Sequence, residues 1–368
     1  MNPWQEVLER IEAGANQELA EFVSTLGELG RKAVAVQLPG HVAGRLGEGM
    51  DGRREIEDQA AGLRIAGAAC LGGAAQVAAW LNRRELRRVL GPRTDAARIL
   101  SLIRDRPAPW RRELAVRLVG RLRQTRGTGV GARVEVGTEA VPGWHVAAGL
   151  VAETGIEPPD GDAFVAGWAW QLAEAHRWEQ PPPLCEDPLL DVMVPRLFRS
   201  AGVAGALAWS ERRKRGVSAI ASLAALASQG RVPREVLLGG CAGRFVAGGV
   251  AGELTPFVEL WHQLRPEPSE IPVLGFVRLL PSAPSPLVRL AIEELRRADE
   301  AGLLDDELFA DAVRSLALRP EKRYVSAALQ WIAEAGRSRA DGALVALATV
   351  LGEDSPALRD RAARLRSR

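Results

Sequence analysis

SPLVRLAIEEL, residues 285–295, and SPALRDRAARL, residues 355–365, are the two phrases on which the fold turns. They lie 70 residues apart, and Ser285/Ser355, Pro286/Pro356, Arg289/Arg359 and Leu295/Leu365 coincide. The same offset brings Trp261 onto Trp331. PREVLLGGCAGRF, residues 233–245, has a likeness in DDELFADAVRSL, residues 305–316. Seventy residues is two helical hairpins of about 35, and a hairpin of that size cannot bury its apolar face alone, so copies stack. Residues 217–368 carry this repetition most clearly. In each phrase the pattern places Ser as a cap and Pro at the first helical position.

Outward from the repeat, helical period runs through most of the chain. TDAARILSLIRDR opens at Thr94, read as an N-cap, and ends before Pro107. Leu114, Leu118 and Leu122 form one stripe with arginines opposite. Period-2 alternation occurs only in VGARVEV, which predicts at most one small β-hairpin near 130–136. The expected class is all-α, an α-solenoid of helical hairpins. QTRGTGVGARVEVGTEAVPG, residues 124–143, is Gly-rich and reads as a linker or loop. It divides the chain into an N-terminal helical region, 1–123, and a repeat region, 144–368. A second break is the Pro181-Pro182-Pro183 run, expected to be an extended connector.

The SPLVRLAIEEL phrase resembles the second helix of a HEAT repeat. CLGGAAQVAAWLNRREL, RILSLIRDRPAPWRRELAVRLVGRL, RLFRSAGVAGALAW and LALRPEKRYVSAALQWI, in that order, resemble an uncharacterised actinobacterial helical-repeat family. The resemblance implies a stacked helical fold and a bacterial source. It carries over no site residue.

The totals fit a globular chain: 47% hydrophobic, 26% charged, net charge +2. Lys32, Lys214 and Lys322 are the only lysines. With the Ala, Gly and Val excess this is the mark of GC-rich coding, so arginine abundance alone is a weak pointer to phosphate. Cys70, Cys185 and Cys241 are odd in number and far apart, which argues against a disulfide framework or a cysteine zinc site. The opening MNPWQEVLERIEAG has no apolar signal core. GLRIAGAACLGGAAQVAAWL, residues 62–81, is built of Ala and Gly and interrupted by Arg64 and Gln76, so it predicts two packed helices broken near Gly72-Gly73 rather than a membrane span. A cytoplasmic location without membrane contact is expected.

Two stretches are candidate partner sites. The first is WAWQLAEAHRWEQPPPLC, residues 168–185. On a helical wheel Phe164, Leu172 and Ala175 fall within about 40° of Trp168, so Trp168 belongs to the core stripe. Trp170, Glu174, Arg177 and Trp178 fall on the other side, either pressed against the next repeat or displayed as an aromatic, charged surface. The second is the segment from Trp80 to Arg126, with fourteen arginines against four acids, whereas residues 1–79 carry eleven acids against seven bases. Such asymmetry sets up a field. Arg83, Arg84, Arg87, Arg88, Arg111 and Arg112 are its candidate contacts, with an acidic protein face or with nucleic-acid phosphates. The bland alternative is a solvated arginine face.

No catalytic constellation stands out. His41, His145, His176 and His262 lack metal spacing, and there is no GxSxG elbow or Walker lysine. GTGVG in 124–143 lacks the preceding strand a dinucleotide loop needs. Cys241, among small residues, reads as core, and Asp187 and Asp191 as carboxylates serving a helix start. No catalytic residue, cofactor or metal is therefore assigned. The leading expectation is a non-catalytic scaffold or adaptor that binds another protein. The alternative is a HEAT-like DNA-binding protein or alkylated-base glycosylase using Trp170 and Glu174. One observation separates them: whether those two residues share a groove with the arginine face.

Overall fold

The computed structural model describes residues 2–125, 139–175, 183–213 and 216–335. All regular structure among them is helical, so the chain is all-α. The hairpin expected near 130–136 and the second repeat phrase at 355–365 lie outside the described residues, as do Arg177 and Trp178. Among the described residues no helix is long and apolar enough to cross a membrane.

The chain forms two compact units, residues 1–216 and 217–368. The first contains α1 (Pro3–Glu12), α2 (Asn16–Thr25), α3 (Glu28–Gly47), α4 (Met50–Asp58), α5 (Ala60–Cys70), α6 (Ala74–Leu81), α7 (Pro92–Ile103), α8 (Ala108–Val119), α9 (Trp144–Thr154), α10 (Asp162–Glu174), α11 (Leu190–Arg196) and α12 (Val203–Arg213). Odd-numbered helices pack in succession, α1 on α3, α3 on α5, α5 on α7 and α7 on α9, while α6 packs on α8. Because α9 rests on both α7 and α8, residues on the far side of the Gly-rich segment belong to this unit.

Its centre is α5, where every residue except Ala61 is buried. Small side chains make that possible. Gly67 admits the indole of Trp80, whose Nε1 donates to the carbonyl of Leu63 at 2.8 Å. The device recurs in α10, where Gly167 seats Trp144 and its Nε1 donates to the carbonyl of Phe164 at 2.8 Å. The 62–81 stretch is thus two helices parted at Gly72-Gly73, as its composition predicts. The start of α7 differs from expectation. Gly91, at φ +68°, turns the chain and Pro92 begins the helix, so Thr94 lies inside the first turn.

The second unit contains α13 (Ala219–Ser228), α14 (Arg234–Ala247), α15 (Ala251–Leu264), α16 (Val273–Leu279), α17 (Ser285–Glu300), α18 (Asp306–Ala317) and α19 (Lys322–Glu334). Here α13 packs on α15 and α15 on α17, while α14 packs on α16 and α16 on α18. The odd helices begin at residues 219, 251, 285 and 322, about one hairpin apart. Trp261 and Trp331 are both buried, on α15 and α19. Each meets a phenylalanine of the preceding helix, Phe245 at 5.9 Å and Phe309 at 5.3 Å between ring centroids. Ser285 does not cap α17: Pro284 holds the cap position, and the Ser285 hydroxyl accepts from Arg323 Nη2 of α19 at 2.6 Å.

Many arginines have a structural use that charge counting does not show. Arg106 donates to the carbonyls of Ala69 and Leu71, Arg196 to those of Pro158 and Pro159, Arg297 to that of Pro266 and Arg319 to that of Leu280. Each guanidinium reaches back about one hairpin; those of Arg106, Arg297 and Arg319 satisfy carbonyls at or near a helix end, where intrahelical partners run out, and that of Arg196 holds the loop between α9 and α10.

Candidate functional site

The basic segment does not form one face. Three of its six candidates, Arg84, Arg87 and Arg88, line an open cleft of about 800 Å³ together with Arg121 and Arg123. Asn82, Gln124, Thr125, Glu139 and Pro142 complete the lining. The cleft thus draws on the turn after α6 and the strap after α8, both within the first unit. Arg83 turns away to pair with Glu85, its guanidinium 5.4 Å from the Trp80 ring. Arg111 ties α8 to Glu153 of α9. Arg112 is exposed on α8 outside the cleft. A helix period separates residues by direction, and a count of charges along the chain cannot do so.

Arg84, Arg87, Arg121 and Arg123 make few side-chain contacts among the described residues. Arg84 and Arg121 are exposed and make no side-chain hydrogen bond or ion pair among the described residues. Arg87 donates only to the carbonyl of Asn82, at 3.2 Å, and Arg123 to the carbonyls of Leu122 and Gly120. Arg88 has a distant carboxylate, Glu57, at 3.9 Å.

The one lining carboxylate is already committed. Glu139 Oε1 lies 2.5 Å from His145 Nδ1 and accepts from the His145 backbone N–H at 3.0 Å, while Oε2 accepts from Gly143 N–H. It thereby caps the start of α9. Burial pushes this carboxyl up, but the His145 contacts outweigh it and hold Glu139 below the usual carboxylate range.

Behind the turn lies a buried ion pair that charge patterning does not reveal. Arg64, in the middle of α5, donates through Nε to Asp95 Oδ2 at 2.9 Å. Its Nη1 donates to the carbonyls of Leu81 and Leu86, at 3.1 and 3.4 Å, which bracket the 3₁₀ turn Arg84–Leu86. Both side chains are under 5% exposed. Burial pushes the Asp95 carboxyl up, and Arg64 draws it back only in part. Arg64 therefore fixes the segment that carries Arg84, Arg87 and Arg88. The signal in the sequence is its isolation, a single charge in an Ala/Gly helix, which demands a partner when buried.

The aromatic candidate resolves differently. Trp168 is core, 1% exposed, and its Nε1 donates to Asp187 Oδ2 at 2.8 Å. Asp187 Oδ1 also accepts from Leu189 N–H, so this carboxylate serves the approach to α11. Trp170 is also buried, at 4%, which is the packed alternative of the two readings. Its side of α10 is covered by α12, where Trp209 meets it edge-on at 5.6 Å. Glu174 is half-buried at the end of α10, and neither it nor Trp170 lines the arginine cleft.

Compared with known families, curated proteins and solved structures, the chain matches none. The site is therefore read from its own chemistry. Among the described residues no three His, Cys, Asp or Glu side chains converge on a metal position. Cys241 is buried in α14 and burial pushes its thiol well up, as it does that of Cys70, to about 11. What the cleft offers is five arginine side chains lining one volume, and guanidiniums so gathered suit multidentate oxyanions.

Proposed function

We propose that the chain is a non-catalytic adaptor: a HEAT-like α-solenoid whose stacked hairpins serve a protein partner, and whose first unit recognises an anionic group in the arginine cleft. The observation that carries this reading is the presence of Arg84 and Arg121, without partners among the described residues, beside Arg87, Arg88 and Arg123 around one cavity. Like charges gathered in excess of their counter-ions repel one another, and a bound anion relieves that repulsion. The solenoid reading is supported by the second unit, where α13, α15 and α17 pack in succession, as do α14, α16 and α18, with the odd helices starting about 35 residues apart. The use of Trp170 and Glu174 on a DNA base gains no support, since a ring covered by Trp209 has no free face on which to stack a base.

The test is retention on immobilised heparin, used as a general polyanion, over a salt gradient. The wild type is expected to elute at higher salt than Arg84→Glu/Arg121→Glu, with Arg112→Glu between them and close to wild type. Equal loss from Arg112→Glu would mean that diffuse charge, and not the cleft, holds the anion.

A further inference from the structure

We infer that the cleft's ligand is a compact oligophosphate, a chain of two or three phosphoryl groups recognised without regard to what they are attached to. This rests on the anion-binding reading above and gives the anion a chemical class.

Size is the first argument. A cleft of about 800 Å³ lies within the range of small-molecule sites. The second is charge. Among the described residues five guanidiniums and one carboxylate line it, a net of four positive charges. Glu139 is included in that net, and its contacts with His145 and Gly143 hold it at the start of α9. A ligand that balances this in so small a volume needs several negative charges on few atoms, which phosphoryl chains supply and single carboxylates do not.

Geometry is the third argument. The arginines come from two segments, 84–88 and 121–123, so the lining brings guanidiniums from two separate stretches of chain to one cavity. A planar carboxylate presents two oxygens in one plane, whereas a tetrahedral phosphoryl group presents several, and a chain of them presents oxygens on all sides. The last argument is what is missing from the wall. The lining contains no aromatic side chain among the described residues, so it offers no platform for a nucleobase. A nucleotide would therefore bind through its phosphates alone.

The experiment is isothermal titration calorimetry of the full chain at low ionic strength without added magnesium. The probes are tripolyphosphate, pyrophosphate, orthophosphate, citrate, ATP, a hexaglutamate peptide and a short DNA duplex. Tripolyphosphate is expected to bind at one site, pyrophosphate more weakly and orthophosphate weakest, with ATP within about threefold of tripolyphosphate because its base finds no stacking partner. Arg84→Gln/Arg121→Gln should weaken tripolyphosphate by about tenfold or more. Arg84→Lys/Arg121→Lys, which keeps charge but loses the forks, should fall between the two. Thermal melts of both variants close to wild type establish that they fold, since both side chains are exposed. Citrate or hexaglutamate binding as tightly as tripolyphosphate would overturn the phosphate assignment and leave the anion cleft standing. So would a duplex that binds far more tightly and loses that affinity in the Gln variant. Tripolyphosphate binding that the Gln variant leaves unchanged would place the site elsewhere. If no anion binds, the cleft reading fails as well.

Discussion

Arg64→Met removes the charge that both balances Asp95 and holds the turn bearing Arg84. The methionine fills most of the volume, so the loss is mainly electrostatic. Asp95 is left buried without its cation, and removing one partner of a buried pair costs about 3–5 kcal/mol. The carbonyls of Leu81 and Leu86 lose their donor too. Asp95 has one escape, which is to take up a proton, and burial already pushes its carboxyl in that direction. The sign follows. A carboxyl raised above its unfolded value binds protons more readily in the fold, so acidification favours the fold through this group. The deficit of Arg64→Met relative to wild type should therefore shrink as pH falls from 7 towards 5. The double variant Arg64→Met/Asp95→Leu should recover most of the loss, because an apolar pair of similar volume is nearly neutral. The assay is urea unfolding at both pH values, read as a double-mutant cycle. A cost for Arg64→Met below about 1 kcal/mol at pH 7, or one that grows on acidification, would refute the view that this pair is buried, charged and mutually dependent.

Trp168→Phe should cost about 1.5–3 kcal/mol more than Trp170→Phe, because Trp168 alone gives up a hydrogen bond to a carboxylate, whereas the Trp170 Nε1 has no partner to lose; paired thermal melts check the order. Gly67→Ala and Gly167→Ala should each destabilise by about 1–3 kcal/mol, since the new methyl runs into the Trp80 or the Trp144 ring; chemical denaturation that finds either neutral would contradict the packing. Glu139 is held below its ordinary range, so its contribution is complete above the unfolded value of 4.5 and is lost as pH falls through the lower folded value. Glu139→Gln should therefore flatten the acid limb of stability against pH, measured by denaturant midpoints below pH 5.

The parts of the fold legible in the sequence were those with a local cause. The helix break at Gly72-Gly73 follows from turn chemistry, and the burial of Trp261 and Trp331 from helical period. Trp168 was legible because its stripe is shared with Phe164 and Leu172. Trp170 was not, since a helical wheel reports the two sides of one helix and is silent on what covers the second; here α12 does. The arginines were legible as a concentration of charge. Their division was not, because Arg83 is withdrawn by Glu85 two residues on and Arg111 by Glu153 across the packing of α8 on α9. Arg121 and Arg123 joined the cleft from a strap almost forty residues after Arg84, a juxtaposition that no spacing rule contains.

The most direct test of the arginine cleft is a proton–nitrogen NMR spectrum of the arginine Nε–Hε groups during titration with tripolyphosphate, with peaks assigned by single Arg→Lys variants. The resonances of Arg84, Arg87, Arg121 and Arg123 should move together along one saturating curve while those of Arg111 and Arg112 stay in place. Cleft resonances that do not move, or arginines across the whole chain drifting without saturation, would contradict the assignment of this cleft as the working site.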